Sequence, residues 1–378
     1  MRGSRDAMSE RSRPAHVAVY LHTLYNGGVE RVMFNLIQGF LDRGIAVDLV
    51  LDFLIFSPYE KLLPVGARLV NLGVAGSTQR VTKLVGYLRK ERPDAMLSAT
   101  HFGNEVACVA TRLARSGTRL ILSEHTNLSS DIRDSSGRAR RMLLPLTTRW
   151  MYPMADAVVA VSNGVAEDMC RVSGLARKYV QTVYNPIDFK GLAVAAKEPL
   201  DEAWFAAGEP PVILAIGRLE VQKNFPNLLR AFAEVRRSMP ARLLILGEGS
   251  ERERLTSMVA ELGLGEDVAL PGFVANPAAY MARSAVFAMS SSWEGMPVAL
   301  IEALTLGVPV VSTDCPSGPA EILDKGTYGE LVPMDDSPAL AGAMLRVLAG
   351  AKKPSAREWL AQFDSDLITE RYLELMSR

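Results

Sequence analysis

Short apolar runs alternate with helix-length amphipathic segments along nearly the whole chain, and this rhythm limits the fold more than any other feature. His16-Val-Ala-Val-Tyr-Leu-His reads as a first strand, and further strands are expected at 47–53, 67–72, 94–99, 119–123 and 157–161. Between the first two, Val29 to Asp42 is helical by spacing, with Val32, Leu36 and Phe40 beside Ile37 and Leu41 on one side. Apolar strands separated by helices imply a parallel sheet covered on both faces. The pattern breaks near Tyr184-Asn-Pro-Ile-Asp188 and restarts with Val212-Ile-Leu-Ala-Ile-Gly217, followed by 242–247, 268–270, 285–290 and 309–313.

The expected fold class is therefore α/β, with two doubly wound, Rossmann-like domains facing each other across a cleft. The boundaries read as a disordered arm or leader at 1–14, an N-terminal domain at 15–188, a linker at 189–210 and a second domain at 211–363. A last helix in 364–378 is expected to pack back on the N-terminal domain. A length of 378 residues suits two cores of ordinary size.

The balance of 42 basic against 42 acidic residues argues against a nucleic-acid binder held by bulk positive charge. No apolar run reaches the roughly 20 residues of a spanning helix, and the N-terminus carries no apolar core of a secretory signal. Cys108, Cys170 and Cys315 have neither pairing nor metal spacing, which fits a reducing cytoplasm.

The chemistry concentrates in Ser291-Ser-Trp-Glu294-Gly-Met-Pro-Val-Ala-Leu-Ile-Glu302. Glu294 ends an expected strand and Glu302 lies inside the following helix. Gly295 allows close backbone approach, and the first helical N–H groups beyond it have no intrahelical partner. Unpaired donors at a helix start favour an anion, so the segment suits a phosphorylated sugar. Gly217-Arg218-Leu-Glu-Val-Gln-Lys223 follows the first strand of the second half, where Arg218 and Lys223 could clamp a diphosphate.

Gly27 and Gly28 stand between the first strand and first helix, another possible phosphate turn. Neither this stretch nor Gly247-Glu-Gly249 completes a dinucleotide fingerprint. His125, at a strand end, can donate to a sugar hydroxyl; His101 follows a strand likewise, and His16 and His22 only flank one. Cations at Arg80, Lys83, Arg138, Arg140 and Arg141 could hold an acceptor's phosphates or rest on an anionic membrane. No metal site is expected from the histidines.

In order, Gly217-Arg-Leu…Gln222-Lys-Asn, Leu246-Gly-Glu-Gly, Pro271-Gly-Phe, Glu294-x7-Glu302 and Gly307-Val-Pro-Val-Val-Ser-Thr-Asp resemble the retaining GT-B glycosyltransferases. The match covers the whole second half; in the first half Asn26-Gly-Gly-Val-Glu and His125 carry it. Thr313-Asp-Cys-Pro-Ser-Gly-Pro-Ala-Glu is similar to transferases that add N-acetylgalactosamine or galactose to lipid-linked or lipopolysaccharide glycans.

The resemblance implies roles. Arg218 and Lys223 would hold the donor diphosphate, Glu302 the ribose, and Glu294 with His125 the donor sugar. Gly295, Met296, Pro297 and Val298 would lie beside that sugar, with Gly217, Gly27 and Gly28 near the donor and Phe273 and Val274 at the nucleobase. It implies a UDP-sugar co-substrate, no metal or other cofactor, and a glycan or lipid-linked glycan acceptor met on the cytoplasmic face of the membrane. The competing readings are a glycoside hydrolase using Glu294 and Glu302, a UDP-sugar epimerase, and a silent nucleotide-sugar-binding subunit.

Overall fold

A computed structural model describes residues 13–377 apart from 25, 26, 56, 75 and 135–137; side chains are described except at 58, 77, 78, 134 and 138–140. Residues 1–12 of the expected arm, Asn26, and the side chains of Arg138 and Arg140 thus lie outside the described residues. The chain forms two compact units. The first runs to Val161 and takes in Val165–Pro186 and the segment from Ser365; the second comprises Ser162–Gly164 and Ile187–Asp364.

The first unit holds seven strands: β1 (His16–Leu21), β2 (Ala46–Leu51), β3 (Arg68–Asn71), β4 (Ala95–Ala99), β5 (Arg119–Glu124), β6 (Ala157–Ala160) and β7 (Val180–Thr182). They form one sheet in the order β3-β2-β1-β4-β5-β6-β7, parallel at every pairing. Strands β4 and β6 are buried at every position. Such burial is what makes the runs continuously apolar rather than alternating.

The second unit holds β8 (Val212–Ile216), β9 (Arg242–Leu246), β10 (Val268–Gly272), β11 (Val286–Met289), β12 (Val310–Thr313) and β13 (Glu330–Val332), in the order β10-β9-β8-β11-β12-β13. All pairings are again parallel. Strand order reverses between β8 and β11, so the loops leaving their carboxyl ends stand side by side at the switch point where ligands of such sheets bind. The core beneath is built from Ile213, Ala215 and Ile245 packed on Leu228, Leu229 and Phe232 of the helix Phe225–Ser238.

Three features differ from the sequence reading. β7 and β13 were not expected: each has three residues and mixed polarity, too short for a periodic signal. The stretch read as a linker, 189–210, carries the helix Phe189–Ala195. It is fastened to the second unit, where Asn276 Nδ2 donates to Ala195 O at 2.8 Å and Arg283 Nη2 to Glu198 O at 2.9 Å. The third is His22, which does more than flank β1: its Nδ1 lies 2.8 Å from the buried Asp52 carboxylate.

The helix Ser365–Met376 belongs to the first unit. It packs on the helix Gly28–Leu41 and on β5. Arg43 Nε donates to Glu370 Oε1 at 2.7 Å, and Tyr372 OH meets Ser123 Oγ at 3.2 Å.

Candidate active site

In the second unit, Lys223 and Glu294 meet over the reversal point. Lys223 closes the 3-10 turn Val221–Lys223 after β8, and Glu294 lies in the loop after β11. Lys223 Nζ donates to Glu294 Oε1 at 2.6 Å, and Ser291 Oγ donates to the same oxygen at 2.6 Å. The two loops are laced together. Ser292 N donates to Gln222 O at 2.9 Å, Gln222 Nε2 to Trp293 O at 2.9 Å and Ser290 Oγ to Lys223 O at 2.8 Å.

Glycines set the direction of the lysine. A Cβ on Gly217 would lie 3.0 Å from Lys223 Cε, so the aliphatic stem lies over a bare strand end. Gly247 has φ +144°, and a Cβ there would collide with the Gly217 carbonyl oxygen; one on Gly249 would collide with that of Leu219. Leu219 N donates to Glu248 O at 2.8 Å and Glu251 N to Leu219 O at 2.8 Å. The Gly247-Glu-Gly249 motif is thus a packing surface for the loop that carries Arg218 and Lys223, a role that spacing alone did not reveal.

The ammonium has three donors, and Glu294 occupies one of them. Arg218 is exposed. Among the described residues its side chain has no hydrogen-bond or ion-pair partner. Glu302 is buried within the helix Val298–Thr305, whose N-cap is Pro297 with φ −69°. Gly295, Met296, Pro297 and Val298 are all buried around this helix start. Gly318, at φ +95°, closes against them: its Cβ would sit 2.5 Å from Pro297 Cδ and 3.1 Å from Gly295 O. Phe273 and Val274, half-buried, follow β10 at the sheet edge. Burial and the nearby Glu294 charge push the Cys315 thiol up, so it stays protonated.

The first unit holds His125, buried at the end of β5. Burial drives its pKa down to about 4 against the opposing charge of Glu124. The imidazole is therefore neutral, and its Nε2 lies 3.0 Å from Ser123 Oγ, which in turn meets Tyr372. The turn at Gly27 and Gly28 is already engaged: Gly27 N donates to Glu30 Oε2 at 3.0 Å, which brings a carboxylate to that helix start.

Arg80 is turned inward. Its Nε lies 3.6 Å from Asp52 Oδ2, and its guanidinium stands 4.4 Å over the Phe102 ring. Lys83 and Arg141 are exposed.

Among the described residues, His101, Glu124 and Asp131 bring possible metal-ligand atoms within 4.8 Å of one another. The histidine of this cluster favours its protonated form. Burial would lower the pKa of His101, but hydrogen bonds and charge from Glu105 and Glu124 outweigh it and push the value up to about 10. Tyr152 OH and Asn104 Nδ2 also donate to Glu124.

Residues 26–190 match the family model described as Glycosyltransferase Family 4, and residues 196–359 match that described as Glycosyl transferases group 1. A Campylobacter jejuni protein, N-acetylgalactosamine-N,N'-diacetylbacillosaminyl-diphospho-undecaprenol 4-alpha-N-acetylgalactosaminyltransferase, is 32% identical over 249 residues, 66% of this chain and 65% of that one. The lipopolysaccharide 1,6-galactosyltransferase of Salmonella typhimurium is 30% identical over 53% of this chain and 54% of its own length. The matched stretches thus span less than two thirds of these relatives. Among solved structures, Anabaena Alr3699/HepE in complex with UDP-glucose superposes with a TM-score of 0.80 at 20% identity, covering 95% of this chain and 98% of that one. The apo lipopolysaccharide outer core galactosyltransferase WaaB gives 0.69 at 22% identity, over 96% and 99%. The chain therefore has the GT-B fold, with a region that matches the Family 4 glycosyltransferase model at 26–190 and a group 1 glycosyltransferase domain at 196–359, and it is similar in sequence to bacterial N-acetylgalactosaminyl- and lipopolysaccharide galactosyltransferases.

Proposed function

We propose that the protein transfers a hexose or N-acetylhexosamine from a UDP-sugar to a glycan acceptor carried on a lipid, with retention of anomeric configuration and without a metal. The observation that carries this is the Lys223–Glu294 pair, fixed at 2.6 Å over the sheet reversal and close in sequence to the helix that bears Glu302. The names of the relatives support the acceptor class, and the UDP-glucose complex of the Anabaena protein supports the donor.

Cleavage of the sugar–phosphate bond sends its electron pair to a diphosphate oxygen. Lys223, Arg218 and the open N–H groups at the start of Val298–Thr305 stabilise that charge. Glu302 takes the ribose hydroxyls, and Phe273 and Val274 lie at the nucleobase. Glu294 takes a donor-sugar hydroxyl while ordering Lys223. His125 serves as a neutral hydrogen-bonding group rather than a proton carrier. An acceptor hydroxyl forms the new bond to the anomeric carbon on the face the phosphate leaves, and its proton passes to the departing phosphate oxygen.

The test is incubation with UDP-sugars and a lipid-linked acceptor in excess EDTA, reading UDP release and the anomeric configuration of the product. Sugar transfer with retention is expected, and Lys223→Ala should lower turnover by about 10²–10³-fold. Strict metal dependence, an inverted product, or near-normal turnover in the variant would contradict the reading.

A further inference from the structure

In the first unit the strand order reverses between β1 and β4, the place where sheets of this kind bind ligands beyond their strand ends. His22 follows β1 directly, Asp52 and Phe53 follow β2, and Phe102 lies in the first turn of the helix His101–Ala114 after β4. Between β4 and that helix, Thr100 has φ +74° and ψ 145°, a conformation that residues other than glycine rarely adopt. Such residues gather at functional sites. The His22 ring stands edge-on to Phe53 at 4.8 Å and to Phe102 at 5.8 Å between centroids. Its side chain keeps 19% of its surface exposed, so a ligand can reach it.

The neighbours of His22 fix where its proton sits. Nδ1 lies 2.8 Å from Asp52 Oδ2, and Nε2 lies 3.4 Å from Arg80 Nη2. A carboxylate accepts and a guanidinium only donates, so Nδ1 carries the proton and Nε2 presents its lone pair. Asp52 is wholly buried, and Tyr20 OH donates to its other oxygen at 2.7 Å. Arg80 Nε, also buried, makes no hydrogen bond among the described residues. The Arg80–His22 contact is long for a hydrogen bond. An accepting nitrogen and a donating guanidinium thus face each other beside two aromatic rings. A hydroxyl donates one proton and accepts at its lone pairs, so a single hydroxyl can satisfy both groups. An ionised diphosphate has no proton for Nε2, and Asp52 already offsets the charge of the arginine.

We infer that His22, oriented by Asp52, recognises a hydroxyl of the acceptor sugar. Nε2 accepts a hydrogen bond from that hydroxyl, Arg80 donates to the same oxygen, and Phe53 and Phe102 meet the apolar faces of the sugar ring. His22 makes and breaks no covalent bond: the proton of the attacking hydroxyl still passes to the departing phosphate. This role rests on the proposed transfer to a glycan acceptor and names side chains that read it. It also gives Arg80, expected from the sequence to meet phosphates or a membrane, a neutral ligand.

Nitrogen NMR of the histidine-labelled full chain reads the tautomer. The His22 proton should sit on Nδ1, and a proton on Nε2 would overturn the assignment. Initial-rate kinetics with a UDP-sugar and a lipid-linked glycan then test recognition. His22→Phe keeps a ring between Phe53 and Phe102 but cannot accept a hydrogen bond. It should raise KM for the glycan about tenfold, the worth of one hydrogen bond, while UDP raises its unfolding midpoint as much as in wild type. His22→Gln, whose amide oxygen accepts, should recover part of the loss. A merely structural role predicts the reverse order, since phenylalanine conserves the packing. An unchanged glycan KM in His22→Phe, or glutamine no better than phenylalanine, would overturn the inference alone. A wild type that transfers sugar to no glycan would instead defeat the proposed function, and this role with it.

Discussion

At the scale of single residues, two histidines near neighbouring strand ends are driven in opposite directions. His125 is desolvated with no hydrogen-bonded carboxylate, and its pKa falls to about 4. His101 is equally buried but held by Glu105 and Glu124, and its pKa rises to about 10. An unfolded histidine titrates near 6.5 (a reference value). The stability that His101 contributes is therefore fully present below about pH 6.5 and lost as pH rises towards 10. The contribution of neutral His125 is present above about pH 6.5 and lost as pH falls towards 4. Chemical denaturation across pH should show both limbs, and His101→Gln should flatten the alkaline one. An alkaline limb unchanged in that variant would show that His101 is not the buried cation. The sequence marked both positions as strand-end histidines, but nothing in it gave their opposite charge states. Those depend on Glu105, one helical turn away, and on Glu124 from the adjacent strand.

At the scale of elements, the strand–helix rhythm was readable because parallel strands buried on both faces keep a continuous apolar signal. β2, β4, β5, β8 and β12 fall within a residue or two of their expected bounds. What stayed hidden is how loops touch. The glycines at 217, 247 and 249 stand 30 or more residues apart or in a failed motif, yet together they let the loops after β8 and β9 stack. Gly247→Ala should cost about 1–3 kcal/mol from its backbone dihedral alone, with the clash against Gly217 O in addition. Gly265→Ala, where an added Cβ meets nothing, should be nearly neutral. Urea unfolding of the two variants compares them directly. Equal midpoints would mean that the close approach of these loops does not hold the site in place.

At the scale of the whole molecule, the chain is two parallel-sheet units, with the candidate donor chemistry gathered in the second. The segment Glu294-x7-Glu302 was legible because helix starts, glycine and paired acids carry a local signal. The Lys223–Glu294 contact was not, since it joins residues 71 positions apart. It follows from β8 and β11 lying side by side, which is a property of the sheet order.

A ligand that binds only the folded state raises the unfolding free energy, by about 2.7 kcal/mol at 100 times its dissociation constant. The most direct measurement is thermal unfolding with UDP and with uridine, for wild type and Lys223→Ala. If Lys223 receives the diphosphate, UDP raises the wild-type midpoint well above the value in uridine, and the variant loses that difference. A wild-type midpoint indifferent to UDP, or a variant that keeps the full difference, would contradict the account.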